Sequence, residues 1–343
     1  MQSINHLNQN HQDQKQDNKK ENEKLYLMYD QEKYNGIILE KGTDKVVCRC
    51  LSKFKNINSI EEINESNQNI YEYCEDGTII RLYNYDNKWM TATSRCIDGR
   101  YSYWTSEKSF DELFWETYGM DRNLLLDLLD DKYTYIFILL HNENRIVIEH
   151  KSNKLIYVYA INNETGDIED ENINNFERPQ RVDVKIIDKL SEMNEYRKGY
   201  RGILINSGDI TYKYDFPEYE VIKELRGNIS MIHMRYLELI NDSDKLEQFE
   251  RYYSEYYFLF AVIKNALNNL VNNLYNIYID THIKHIAIIT EDNLYYKTIK
   301  KIHSTYLNKK NEGQNNIRLS RDDIKSIVYK YNGYILRKLL KMK

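Results

Sequence analysis

Cys74 stands in the run Tyr71 to Tyr83, YEYCEDGTIIRLY, where a thiol is followed at once by two acids and a glycine. A cysteine becomes a nucleophile when arginine or lysine neighbours depress its pKa, so the cations that fold next to this run decide whether Cys74 can react. His282 and His285, in DTHIKHIA, are spaced to share a helical face and would hold a metal if a third ligand joined them; none is spaced nearby. Cys48 and Cys50 flank one residue of a strand-like run, a spacing too tight for paired zinc knuckles, and read as buried apolar thiols. The sequence contains no Ser-His-Asp arrangement, no phosphate-cradling glycine loop and no paired-cysteine zinc signature.

The elements that must position these residues are legible from periodicity. The runs NGIILE, DKVVCRCLSKF, GTIIRLYNY, KWMTATS, YTYIFILL, NRIVIEH and KLIYVYAIN are short, rich in β-branched and aromatic residues, and separated by Asn, Asp or Gly turns, which predicts strands. Between them SEKSFDELFWETYG predicts a helix with Phe110, Leu113 and Phe114 on one face and Gly119 near its end. The polar stretch NNETGDIEDENINNFERPQ reads as a surface excursion, and VDVKIIDKLSEMNEYRKG as a helix. YRGILINS and DITYKYD follow as strands joined by a hairpin turn at NSGD. Beyond about Phe216 the apolar spacing turns helical, through Leu246, Phe249, Tyr253, Phe260, Ile263, Leu267, Leu270 and Leu274, and Ser320 with Asp323 forms a capping box ahead of Ile324. The fold class is α+β: an antiparallel-sheet domain over residues 25–220, a mostly α-helical domain over 221–343, and a disordered arm over 1–24.

With 343 residues the chain is long enough for two domains, and a mean hydropathy of -0.73 with no long uncharged apolar stretch speaks against a membrane span. The first residues lack the apolar core of a secretory signal, so the four cysteines are expected as reduced thiols and the protein as cytoplasmic. The net charge of -5 is unevenly spread: residues 281–343 carry 14 Lys and Arg against 5 Asp and Glu. That basic end reads either as a polyanion footprint or as a solvated lysine-rich helix face.

Four places in the β-rich half give a resemblance to the nucleotidyltransferase domain of ATP-dependent RNA ligases of the T-even phage type and to ligase-like proteins of large DNA viruses. VVCRCLSKFKNIN is similar to an upstream family strand that offers Arg49, Lys53 and Phe54. CEDGTIIRLY resembles the family's Lys-Glu-Asp-Gly-Ser, with Cys74 in the lysine position, and TSRCID sits where the family has Ser-Lys-Gly-Ser. FILLHNENRIVIEHKSNKLIYVYAINNETGDI resembles its long strand pair, and YRGILINSGDITYKYD the strands that supply a Glu-Gly and a Lys-x-Lys.

What the resemblance implies is a chemistry this chain is poorly furnished to perform. Such ligation runs through a nucleotide carried on a lysine amine, helped by acids, cations and a metal. By position, Cys74 replaces the lysine, Ile138 a strand carboxylate and Arg201 the Glu of Glu-Gly, while the Lys-x-Lys becomes Lys213, Tyr214 and Asp215. Arg49, Lys53, Asp76, Gly77, Arg95, Arg145 and Lys213 remain, and Arg201 adds a positive charge, so the implied cleft is cationic and suited to phosphate or an RNA end. The expectation is a non-ligating family member that binds RNA, with no confident catalytic residue, no metal and no cofactor; ATP and Mg2+ enter only if ligase activity survives through a displaced lysine such as Lys53 or Lys88. A structural virion or assembly protein is the remaining alternative, with viral or host proteins met through the helical domain.

Overall fold

Alternating apolar residues put one side of each strand against a core, and three sheets result. The computed structural model describes residues 20–29, 35–63, 69–169, 173, 176–183, 199–208, 210–311 and 318–342. Most of the expected N-terminal arm, the body of the helix expected over 182–199 and part of the acidic excursion lie outside the described residues. The chain divides into two compact units, residues 1–223 and 224–343.

In the first unit β1 (Leu25–Tyr29), β2 (Asn35–Glu40) and β3 (Val46–Cys48) form one antiparallel sheet. β4 (Lys55–Asn56) and β5 (Ile70–Cys74) belong to a second, and β6 (Thr78–Tyr85) and β7 (Lys88–Ala92) to a third. Helix α1 (Phe110–Tyr118) and the single turn α2 (Arg122–Leu126) precede β8 (Tyr133–Leu140), β9 (Lys154–Asn162) and β10 (Ile168–Glu169). β11 (Gly202–Ser207) and β12 (Ile210–Asp215) then form the expected hairpin. The five-stranded sheet has the order β10-β9-β8-β6-β7 and the four-stranded sheet β4-β12-β11-β5, antiparallel except where β12 meets β4.

Helix α1 forms because Ser109 and Glu112 close a capping box and its apolar residues recur on one face. Phe110, Leu113, Phe114 and Trp115 pack on Ile80, Leu82, Tyr135, Phe137, Leu139 and Tyr157, burying one face of the five-stranded sheet. The other face carries Leu51, Ile136 and Ile161, with Phe54, Ile79, Val158 and Tyr159 half-buried around them. The buried Arg81 donates to the carbonyls of Gly36, Arg49 and Thr93, tying β6 to the small sheet.

Two strand expectations need correction. DKVVCRCLSKF yields only the three residues of β3, because Arg49 leaves the ladder to donate its backbone N–H to Thr134 Oγ1. NRIVIEH is a loop rather than a strand: the N–H groups of Val147 and Ile148 both donate to the Asp76 carboxylate and are lost to any ladder.

Helix α3 (Pro217–Arg226) follows β12. The second unit is built from α4 (Ile232–Leu239), α5 (Ser243–Tyr252), α6 (Tyr257–Tyr278), α7 (Tyr296–Asn311), α8 (Arg321–Tyr329) and α9 (Gly333–Leu340). The helical stripe read from the sequence is its core: Phe249, Phe260, Ile263, Leu267 and Leu274 are buried, and Ser320 with Asp323 caps α8 as expected. His282 and His285 do not share a helical face. The helix ends in a π turn at Ile283 and His285 takes a positive φ of 56°, while His282 stacks between Tyr278 and His303. No described helix is long and apolar enough to cross a membrane. The α+β reading, with antiparallel sheets followed by helices, is what the structure holds.

Candidate functional site

Cys74 closes β5, opposite Gly202 of β11, and its carbonyl accepts the N–H of Arg201 at 2.9 Å. The side chain is buried, and its thiol points to the Glu75 carbonyl at 3.9 Å. Burial pushes the thiol up to about 12; Arg201 and Lys213 pull the other way and are outweighed. The cationic neighbours that would activate a cysteine are present, yet the low-dielectric surroundings keep it protonated. Next to it, burial drives the Glu75 carboxyl up to about 7, with Lys154 opposing and Glu177 and Asp76 adding to the rise.

Asp76 and Gly77 serve the chain itself. Asp76 is buried and accepts from Val147 N at 2.8 Å, Ile148 N at 2.7 Å and the Tyr219 hydroxyl at 2.6 Å. Gly77 is required by close approach: a Cβ there would lie 2.5 Å from Ile138 Cγ2 and 2.8 Å from the Leu139 carbonyl. Ile138, where the resemblance implies a carboxylate, is half-buried with its Cγ2 against the glycine turn.

Arg201 and Lys213 meet at one acid. The Arg201 guanidinium forks onto Asp215, Nε to Oδ1 at 2.9 Å and Nη2 to Oδ2 at 2.7 Å, and lies 4.8 Å from the Tyr219 ring centre. Lys213 Nζ is 3.5 Å and Lys223 Nζ 3.2 Å from the same Oδ2. Burial alone would raise the Asp215 carboxyl, but the hydrogen bonds and charge of Arg201 hold it well below the usual range. Lys213 is lowered by burial and by Arg201 beside it. The expected gain of positive charge from Arg201 is therefore met by the acid at 215, and Tyr214, the middle residue of the triplet, is buried.

The remaining candidates divide. Arg49 donates through Nε and Nη2 to the carbonyls of Asn163 and Glu164, both at 3.0 Å, and so braces the Asn-Glu-Thr-Gly turn. Arg145 is buried with Nε on the Val147 carbonyl at 3.0 Å. Lys53 and Arg95 instead share an aromatic ring: Arg95 Cζ lies 4.8 Å and Lys53 Nζ 5.6 Å from the ring centre of Tyr29, whose hydroxyl takes Arg95 Nη2 at 3.4 Å. Tyr29 is 42% exposed and Arg95 is exposed.

Sequence reasoning missed Tyr29, Tyr219, Lys223 and the role of Asp215. Tyr219 and Lys223 are four residues apart on α3, a spacing that sets both on one helical side, and that was the available signal. The donor set does not suit a metal-bound triphosphate. Asp76 and Asp215 are taken up by partners from the chain, Ile138 offers no ligand, and the described residues contain no cluster of three His, Cys, Asp or Glu placed to hold a metal ion.

Residues 33–198 match the RNA ligase family. The chain is 29% identical over 178 residues to the immediate-early protein ICP-46 homolog of Invertebrate iridescent virus 3, an alignment covering 49% of this chain and 39% of that protein. It is 23% identical over 341 residues to the ICP-46 homolog of Invertebrate iridescent virus 6, covering 90% and 72%. An RNA ligase of Rhodothermus phage RM378 is 33% identical over 91 residues, 24% of this chain and 20% of that one. The chain thus spans about two fifths of the first relative and about one fifth of the phage enzyme. Among solved structures an archaeal ATP-dependent RNA ligase is similar with a TM-score of 0.42 and 7% identity, over 65% of this chain and 61% of that one. A protein described as an ATP-dependent DNA ligase of Aquifex aeolicus has a TM-score of 0.42 and 12% identity, over 74% and 78%.

Proposed function

We propose that this chain, whose residues 33–198 match the RNA ligase family, binds RNA or RNA ends and does not charge itself with a nucleotide. The observation that carries the reading is Cys74: at the position where the family places its lysine stands a buried thiol pushed up to about 12. A thiol held neutral is a poor nucleophile, and a thiolate would not form the phosphoramidate that ligation consumes. Ile138 and Arg201 at the two carboxylate positions support the same reading, since neither helps to hold a metal.

RNA is taken up where the Tyr29 ring and the Arg95 guanidinium reach solvent rather than by the cations buried around Asp215. The Tyr29, Lys53 and Arg95 cluster offers a ring for a base to stack on and, at the exposed Arg95, a guanidinium for phosphate oxygens, with Lys53 over the same ring. No ATP or Mg2+ is needed for this. The 14 Lys and Arg of residues 281–343 supply further charge on the other unit.

Two measurements test the reading. Incubation with α-labelled ATP or GTP and Mg2+ is expected to leave no acid-labile label on the protein; an adduct mapped to Lys53 or Lys88 would restore the ligase reading. Titration of short single-stranded RNAs at several salt concentrations is expected to give binding that weakens steeply with salt. Absent or salt-insensitive binding, together with co-purification in particle amounts, would favour an assembly role.

A further inference from the structure

Three cations converge on a single carboxylate oxygen. Asp215 Oδ2 has Arg201 Nη2 at 2.7 Å, Lys223 Nζ at 3.2 Å and Lys213 Nζ at 3.5 Å, and Oδ1 has Arg201 Nε at 2.9 Å. The Asp215 side chain is only 5% exposed, and those of Lys213 and Arg201 are 16% and 19% exposed. Arg201 Nη2 and Lys223 Nζ fill the two lone pairs of Oδ2, and Lys213 Nζ stands at ion-pair distance beyond them, so three positive charges surround one carboxylate charge. Glu220 relieves part of the excess by taking Lys223 at 2.8 Å. The other acid of the neighbourhood, Asp76, is occupied by two backbone amides and a tyrosine hydroxyl.

The grouping is fixed by backbone geometry. Gly202 and Asp215 face each other in the β11–β12 ladder, and a Cβ on Gly202 would lie 2.0 Å from the Tyr214 carbonyl oxygen and 2.8 Å from Asp215 Cα. Only a residue without a side chain lets the strands close so tightly, which brings Asp215 under the Arg201 fork. The Tyr219 ring lies against that fork, and the Tyr219 hydroxyl is anchored on Asp76. The Arg201 fork and the Lys213 ammonium held by packed strands, with the 44% exposed Lys223 reaching the same point from the solvent side, match a tetrahedral oxyanion, which has more oxygens and more charge to distribute among them.

We propose that Arg201, Lys213 and Lys223 form an anion site of the phosphate class whose occupant is built into the chain, the Asp215 carboxylate standing where a phosphate would otherwise sit. The inference goes beyond the RNA-binding reading and does not depend on it. A free phosphate or the phosphate of a nucleotide must displace Asp215 from all three cations to enter, so the native chain is closed to such ligands at this point.

Emptying the site tests this. In the full chain Asp215→Ala removes the occupant, and inorganic phosphate is expected to raise its thermal midpoint saturably, by about 3 °C at tenfold saturation, while the native chain shows no saturable rise. Equilibrium dialysis with labelled phosphate is expected to show one added site in Asp215→Ala and none in the Asp215→Ala, Arg201→Ala double variant. Asp215→Asn, which keeps the size and loses the charge, is expected to bind phosphate more weakly than Asp215→Ala. A folded Asp215→Ala with no more phosphate bound than the native chain would overturn the proposal. So would saturable binding to the native chain that Arg201→Ala abolishes. Should both variants lose their fold in phosphate-free buffer, recovery of the native circular dichroism on adding phosphate supports the site, and failure to recover at high phosphate counts against it.

Discussion

Two groups of cations lie in the β-rich unit, and they differ in what the chain sets against them. Around Asp215, Arg201 and Lys213 are largely buried and their charges are spent on an acid of the same hairpin. Around Tyr29, Lys53 and Arg95 lie on a ring that reaches solvent, and an aromatic face attracts a cation without cancelling it. A positive residue at a family position, as at Arg201, therefore does not by itself indicate a ligand site when an acid has been placed beside it. The two groups respond to substitution in opposite ways: the first should report on stability, the second on RNA.

The largest effect is expected from Arg201→Ala, which strands a buried carboxylate beside two lysines and should cost about 3 kcal/mol in urea denaturation. Exchanging the partners, Arg201→Asp with Asp215→Arg, should recover a substantial part of that loss, because the fork can reform with reversed polarity. A loss below about 0.5 kcal/mol would place the pair with ordinary surface bridges. Acid sharpens the same point. The Asp215 carboxyl is held below its ordinary 3.8, so the stability it contributes is complete above that pH and is lost as the pH falls below it. Asp215→Asn should flatten that acid limb of the stability profile.

Next in size, Arg95→Glu should weaken RNA binding severalfold at low salt and reduce the salt slope by about 1, with the thermal midpoint unchanged to about 1 °C. A drop in melting temperature as large as that of Arg201→Ala would erase the distinction between the two groups. An effect confined to a pH window is expected at Glu75, whose carboxyl burial pushes up to about 7 from 4.5. For an acid raised in this way the folded state gives up stability as the pH climbs from 4.5 to 7, and Glu75→Gln should remove that decline in a pH series of denaturation midpoints. The smallest is a rate: iodoacetamide at pH 8 should modify the half-buried Cys50 well before Cys74, with Cys74 labelled only in denaturant.

Much of the fold was legible because its signals are local. YTYIFILL and KLIYVYAIN are β8 and β9 to the residue, since strand alternation and flanking turns agree there. Ser320 with Asp323 marks a helix start by a bond spanning three residues. NRIVIEH misleads because what unmakes the strand is Asp76, some seventy residues earlier in the chain. The site was less legible for the same reason. Arg49 has the residue type of a phosphate binder, yet its donors go to the carbonyls of Asn163 and Glu164, and no local pattern records that. Asp215 reads in sequence as a lost lysine; its meaning emerges only when the hairpin sets it against Arg201.

The polarity of that hairpin contact carries an evolutionary consequence. If the ancestral strands bore an acid at 201 and a base at 215, as the family resemblance implies, then restoring either residue alone sets like charges against each other in a poorly hydrated spot. Each half of the exchange holds the other in place, so the present arrangement acts as a ratchet: a lineage that has passed through it returns only by changing both strands at once.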